Sequence, residues 1–401
     1  MTEETIRRVY EFSDLRIREA EKGFHRYLFQ NIDWDERLIA LDGPRGTGKT
    51  TMLLQFLGEN PERMNDSLYI SVDDTWLEPL EIFDLAGYHV QHGGTRLFID
   101  EIHYLESWQN LVKNIHDTFK GLNVAYTGSS ILRLASGKAD LSRRQLGYSL
   151  KGMSFREFLK LEGALDQETI PLESILVDHV QIATEISRKV KIIPLFEQYL
   201  RHGYYPFYRE DTRHFGERLR QVVNQILDSD MPLVDDVTPE TIRKARRMLG
   251  ILAESTPQTP NITALCRGIS MDRKQGLKVL YALMHSGLLG LLVEDADKLK
   301  ELASPSKIFC DNTNLMYALV PSPDKGTLRE AFFNNQISVG HTAVYPRRGD
   351  FLVDNRYLFE VGGAGKRFEQ IKDIPESYLA VDETEVGRGN KIPLWLFGFL
   401  Y

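Results

Sequence analysis

Along the first third of the chain, apolar positions switch between two periods. Residues 38–41, 67–74, 95–100 and 123–130 are short, nearly continuous apolar runs of strand length, while residues 51–58, 77–91 and 108–120 repeat their apolar positions at three-and-four spacing, the mark of helices. Such alternation at short intervals predicts a parallel, three-layer α/β domain whose ligand sits at the carboxyl ends of its strands. Residues 1 to about 36 also read as amphipathic helix, through Ile6, Tyr10, Leu15, Ile17 and Ala20 and then Phe24, Tyr27, Leu28 and Ile32.

The chemistry begins where the first strand ends. Gly43, Gly48, Lys49 and Thr50 satisfy G-x-x-x-x-G-K-[ST]. A loop can hold a triphosphate only if backbone N–H groups converge on its oxygens with no Cβ in the way, which Gly43, Gly46 and Gly48 allow. With Thr47 and Thr51 these residues form the expected phosphate cradle, in which Lys49 reaches the β- and γ-phosphates and Thr50 ligates Mg²⁺. The strand over 95–100 ends on Asp100 and Glu101. Asp100 is placed to hold Mg²⁺ through water and Glu101 to take a proton from the attacking water. Neighbouring strand residues face opposite ways, so both can serve one site only if the chain turns between them. No N/T-K-x-D guanine-reading motif occurs, which makes ATP the expected nucleotide. Tyr27 is then a packing residue or an adenine contact.

Composition narrows the class. At 401 residues the chain exceeds one ordinary core, and 42% hydrophobic with 26% charged residues is an ordinary globular balance. A net charge of −8 argues against a surface coated in basic residues for nucleic acid, though not against a local basic face. Cys266 and Cys310 lack metal spacing and are expected as buried thiols in a reducing compartment. The charged N-terminal stretch has no apolar h-region, and no apolar stretch reaches membrane-spanning length, so a soluble, cytoplasmic protein without a membrane partner is expected.

The order of motifs, with one strand between the phosphate loop and the Asp-Glu strand and a hydroxyl-ended strand after it, resembles AAA+ and related additional-strand ATPases. That resemblance implies a γ-phosphate sensor on the third of these strands, Ser129 ahead of Thr127. An arginine just after the sensor strand can neutralise the leaving phosphates, in cis or from a neighbouring subunit of a homo-oligomer; Arg144 is the candidate and Arg143 the alternate. The runs GPRGTGKTT, FIDEIHYLESW, YTGSS, LSRR, SLKGMSFREFL and LFEQYLRHGYYPFY together resemble a prokaryotic family of AAA-type ATPases with a C-terminal nuclease-like domain.

The rest of the chain is read beside that resemblance. Residues 161 to about 235 are helical by pattern, punctuated by Pro171, Pro194 and Pro206, with an acidic join around Asp228, Asp230, Asp235 and Asp236. Helices over 242–252, 262–267 (capped by Asn261) and 272–286 (capped by Ser270), then an apolar strand over 288–294, follow the order of a winged helix. Arg273, Lys274 and Lys278 would face a nucleic-acid groove, but Gln275, Gly276 and Tyr281 make that helix an indifferent reader of bases, so backbone contact and intramolecular packing are equal readings. Further on, a strand at 308–311, a helix at 327–334 and a hairpin of 349–354 with 356–361 place Glu330, Asp350 and Glu360 where a restriction-endonuclease-like core holds its acids. The lysine due two residues after Glu360 is Gly362, and Lys366 and Lys372 lie past the strand, which favours an inactive nuclease-like fold. Residues 393–400 read as a core strand. The expected division is a P-loop ATPase domain over 1–160, a helical lid over 161–235, a winged helix over 236–300 and a nuclease-like domain over 301–401. The expected function is Mg²⁺-dependent ATP hydrolysis coupled to an unidentified conformational or partner-remodelling task; a nucleotide-gated nucleic-acid-binding regulator and an ATP-switched nuclease are the alternatives.

Overall fold

A computed structural model describes the chain apart from residues 21, 74–76, 131–140, 142, 234–236, 255–260 and 295–303. Asp235 and Asp236 of the expected acidic join fall outside the described residues. The chain forms two compact units, Met1–Lys151 with Leu233–Asp235, and Gly152–Pro232 with Asp236–Tyr401. The first boundary lies earlier than the expected residue 160. Ser154 caps the helix Phe155–Leu161 through a reciprocal bond with Glu157, and the rings of Phe155 and Phe158 stand 5.5 and 5.7 Å from that of Tyr199, inside the second unit.

The first unit is built on five parallel strands, β1 (Leu38–Gly43), β2 (Ser67–Ser71), β3 (Arg96–Asp100), β4 (Asn123–Ser129) and β5 (Leu146–Ser149), in the order β2-β3-β4-β1-β5. Alternate side chains enter two separate apolar layers. Leu38, Ala40, Leu68, Ile70, Leu97, Ile99 and Val124 line one, and Ile39, Leu41, Tyr69, Phe98 and Ala125 the other. Burial on both faces explains why these strands are near-continuous apolar runs rather than alternating ones. Strand β5 was not foreseen; its Leu-Gly-Tyr-Ser sequence is half exposed at an edge and carries no apolar run. Helix α1 (Glu3–Arg18) ends well before residue 36. Gly23 at φ +104° belongs to a connection without α-helix that includes the short 3₁₀ helix Phe29–Asn31.

In the second unit three helices, Pro239–Glu254, Ile262–Gly268 and Arg273–His285, precede an antiparallel pair, β6 (Leu289–Leu292) and β7 (Lys307–Cys310). Asn261 caps the second helix as expected, accepting from the Ala264 N–H. The third is capped by Asp272, which accepts from the N–H groups of Lys274 and Gln275; Ser270 instead occupies a left-handed turn at φ +55°. Strand β7 pairs with β6 rather than joining the last sheet. That sheet runs β12-β11-β10-β9-β8, with β8 (Ala343–Val344), β9 (Phe351–Val353) and β10 (Tyr357–Gly362) antiparallel and β11 (Ser377–Val381) and β12 (Lys391–Pro393) parallel to β10. The helix Lys325–Ile337 lays Phe333 against Phe351 and Phe359, at ring distances of 4.9 and 5.0 Å. The terminal apolar run is not a strand but a 3₁₀ helix, Leu394–Phe399, buried throughout. A run that is apolar at every position has no period to distinguish the two, and Pro393 can donate nothing to a ladder. Among the described residues no helix is long and apolar enough to cross a membrane.

Candidate nucleotide site

The cradle forms because β1 delivers the chain to a loop whose path requires glycine at positions 43, 46 and 48. A Cβ on Gly43 would stand 2.3 Å from the Leu150 carbonyl oxygen, and Gly46 and Gly48 sit at φ +77° and +95°. The helix Lys49–Gly58 then starts with Gly48 as its N-cap, leaving its first N–H groups without a side-chain cap and turned towards the loop. Lys49 is buried at 4% exposure, and its ammonium donates to the carbonyls of Gly43 and Pro44 at 2.9 and 3.1 Å. Thr47 is fully buried with its hydroxyl on the Pro44 carbonyl at 2.9 Å, and its own carbonyl accepts from the guanidinium of Arg26. That guanidinium also holds the Lys151 carbonyl, so the non-helical stretch before β1 braces the loop from behind. Thr51 is exposed at the helix start.

Asp100 is the hub of the site. Buried at 2% exposure, it accepts from the Thr50 hydroxyl at 2.6 Å, from the Tyr69 hydroxyl at 2.9 Å and, on its other oxygen, from the Thr127 hydroxyl. Burial, and after it the Asp100 carboxylate, raise the Tyr69 hydroxyl far above its ordinary pKa, so Tyr69 serves only as a donor here. Thr127 has a second task, accepting the Glu101 N–H at 3.0 Å. At Glu101 the backbone enters the left-handed region, φ +52°, and this is the turn that the adjacent acids require. The carboxylate of Glu101 leaves the strand direction, and its Oε2 lies 3.2 Å from Nδ1 of the buried His103 but outside hydrogen-bond geometry. The same Nδ1 accepts the Ser129 N–H at 3.4 Å.

Gly43, Gly46, Thr47, Gly48, Lys49, Thr50, Asp100, Glu101 and Ser129 thus gather at the carboxyl ends of β1, β3 and β4, where Gly43 lies opposite Ser129 in the register. The Thr127 hydroxyl is taken up by both acids, which leaves Ser129 as the sensor candidate. Arg144 is not brought to the cradle. Leu146 pairs with Ile39 in the parallel β1–β5 ladder, so Arg144, in the turn just before that strand, lies towards the amino end of β1 and away from the loop. There its guanidinium bonds Asp117 at 3.2 Å. Tyr69, His103 and Arg26 are site residues that pattern reading missed. Each acts across 20 or more residues of chain, and only the strand-end position of Tyr69 and the buried histidine two residues after Glu101 carry any local signal.

Comparison with known proteins bears on the family. The family model for an AAA domain matches residues 35–159. An uncharacterised protein of Methanocaldococcus jannaschii, MJ1637, is 30% identical over 394 residues, covering 89% of this chain and 82% of its own. A second protein of that organism, MJ1544, is 32% identical over 131 residues, 31% of this chain and 29% of its own. Among solved structures, AMPPCP-bound DnaA from Aquifex aeolicus has 17% identity over 71% of this chain and 89% of its own, with a TM-score of 0.26. The Saccharomyces cerevisiae Hsp104–ADP complex has 14% identity over 70% of this chain and 43% of its own, with a TM-score of 0.31. A near full-length relative at 30% identity puts the chain in one family with MJ1637, and the stretch that carries the five parallel strands and the glycine loop closed on a buried lysine is an AAA-type P-loop domain.

Proposed function

We propose that the protein hydrolyses ATP with Mg²⁺ and uses the cycle to move a partner. The observation that carries this reading is the Asp100 hub, which ties the loop threonine, Thr50, to the strand that presents Glu101. A hydroxyl and a carboxylate oxygen 2.6 Å apart at the mouth of a phosphate loop fit a hard, oxygen-seeking cation. Mg²⁺ held there would neutralise charge on the β- and γ-phosphates. Lys49 would exchange the carbonyls of Gly43 and Pro44 for phosphate oxygens, at little cost because its ammonium already lies in the loop. Glu101 accepts a proton from the attacking water as the new O–P bond forms and the bond to the β,γ-bridging oxygen breaks, releasing ADP and phosphate. Ser129, at the carboxyl end of β4, would sense the γ-phosphate, and Thr51 would line the loop mouth. Arg144 would act, in this reading, on the nucleotide of a neighbouring copy, which its place towards the amino end of β1 supports.

Phosphate release from Mg·ATP by the purified full chain tests the reading. Lys49→Ala is expected to abolish nucleotide binding, and Glu101→Gln to lower turnover by about 10²–10⁴-fold while ATP still binds. Full turnover in either variant would overturn the assignment.

A second reading concerns the partner. Gln275 bonds Thr241 at 3.2 Å, Gly276 packs on Cys266, and Tyr281 is buried, so the residues that weakened the third helix as a reader of nucleic acid are its packing face. Arg267, Arg273, Lys274 and Lys278 are exposed. This favours contact with a nucleic-acid backbone through a winged-helix-like part. Binding of duplex DNA or RNA that weakens steeply with salt, and a shallower slope in Lys274→Glu, are the expected outcomes.

A further inference from the structure

The helix Lys325–Ile337 carries Glu330 and the last sheet carries Glu360 on β10, with Asp350 just before β9, the set of acids that a nuclease-like core would use for a divalent metal. Whether these residues fit a metal depends on what already holds them. Lys307, on β7 and 7% exposed, sends its ammonium between two of them, 2.8 Å from Oε2 of Glu330 and 3.0 Å from Oδ1 of Asp350. The remaining Asp350 oxygen accepts the Val361 N–H at 2.9 Å. Glu360, 2% exposed, is bound by the Lys366 ammonium at 2.7 Å. Lys366 reaches it through space that Gly362 leaves empty: a Cβ at 362 would meet the Lys366 chain at 2.8 to 3.0 Å. Gly362 at the expected lysine position and Lys366 beyond the strand are therefore one arrangement, in which the later lysine occupies the volume of the missing side chain.

These residues do not fit a metal. Each carboxylate is engaged by an ammonium, and the described residues contain no group of three or more His, Cys, Asp or Glu that could hold a metal ion. A divalent ion between Glu330 and Asp350 would need the position Lys307 holds, and at that separation two cations repel strongly. Burial works against the lysine's charge, yet the two carboxylates outweigh it and hold its pKa above an ordinary lysine's. Burial, and then the neighbouring Asp350, push Glu330 upward, which is the strain the ammonium relieves. The rings of Tyr345 and Phe351, 5.5 and 5.8 Å from the ammonium, close the place to a hydrated ion.

We propose that the Lys307 ammonium is the resident cation of this acidic cluster, so that the C-terminal sheet takes up no divalent metal and does not cut nucleic acid. Nothing in this depends on what the phosphate cradle does. The test is titration of the full chain with Mn²⁺ alone, read by calorimetry, with terbium emission sensitised by Tyr345 as a local reporter. Wild type and the Glu330→Gln/Asp350→Asn variant are expected to bind the same number of ions, since any Mn²⁺ at Thr50 and Asp100 is common to both. Lys307→Met is expected to gain one ion per chain and a terbium signal, both lost when Asp350→Asn is added. Loss of one bound ion from wild type on Asp350→Asn would overturn the proposal, as would Mn²⁺-dependent cutting of DNA or RNA that Glu360→Ala abolishes. Failure of both Lys307→Met and Lys307→Gln, each folded, to take up an ion would do the same. If neither variant folds, the comparison of wild type with Glu330→Gln/Asp350→Asn decides alone.

Discussion

Thr127 shows how much one hydroxyl can organise. Its single proton goes to Asp100 and its lone pair takes the Glu101 N–H, so it orients the candidate metal carboxylate and anchors the left-handed turn that presents the candidate base. Thr127→Val keeps the shape and removes both bonds. Leaving a buried carboxylate one donor short costs about 1–3 kcal/mol, and loss of an orienting partner of this kind lowers activity by about 10–100-fold. Steady-state kinetics with thermal melting check this: turnover should fall with the KM for ATP little changed. Ser129→Ala should lower turnover without lowering the melting temperature, because among the described residues no hydroxyl bond of Ser129 supports the fold. Equal melting losses in both variants would contradict the different tasks assigned to the two residues.

Between elements, the joints differ in how far sequence foretells them. The loop after β1 and the acids after β3 were legible because the chemistry is local: a glycine spacing, an apolar run, two adjacent carboxylates. Strand β5 was not, because Leu146 to Ser149 is held by its ladder to β1 and not by its own apolarity. The extent of α1 was overread, since apolar residues that pack as a non-helical brace keep an approximate helical spacing by chance. Nor could spacing reveal that Lys307, placed on the strand paired with β6, would tie the helix Lys325–Ile337 to the start of β9. That tie has a measurable strength. Removing one partner of a buried, hydrogen-bonded charge cluster costs about 3–5 kcal/mol, so Lys307→Met should unfold at lower denaturant, with Mn²⁺ restoring part of the loss. A raised lysine pKa in the folded state contributes stability that is complete below the unfolded value, about 10.4, and is lost as pH rises through the folded value. The difference in stability between wild type and Lys307→Met should therefore stay flat from about pH 6 to 9 and narrow only in more alkaline solution.

At the scale of the whole molecule, the role proposed for Arg144 would require more than one copy. The parallel ladder fixes it at the end of β1 opposite the cradle, and its bond to Asp117 is only partly shielded, at 30% and 44% side-chain exposure, so an incoming anion can compete for the guanidinium. On the proposed reading, a charge-stabilising arginine placed there would serve a nucleotide carried by another copy. Supply of such an arginine accelerates phosphoryl transfer by about 10³–10⁵-fold in comparable sites, so an isolated copy should turn over slowly. Specific activity should consequently rise with protein concentration. Two inactive variants should also rescue one another: in a mixture of Arg144→Ala, which keeps its cradle, with Lys49→Ala, which keeps its arginine, some neighbouring copies combine an intact cradle with an intact Arg144. Measured phosphate release well above the sum of the separate variants is the expected outcome. Activity of the mixture no greater than that sum, with assembly confirmed by sedimentation, would remove Arg144 from the reaction and leave it as the partner of Asp117.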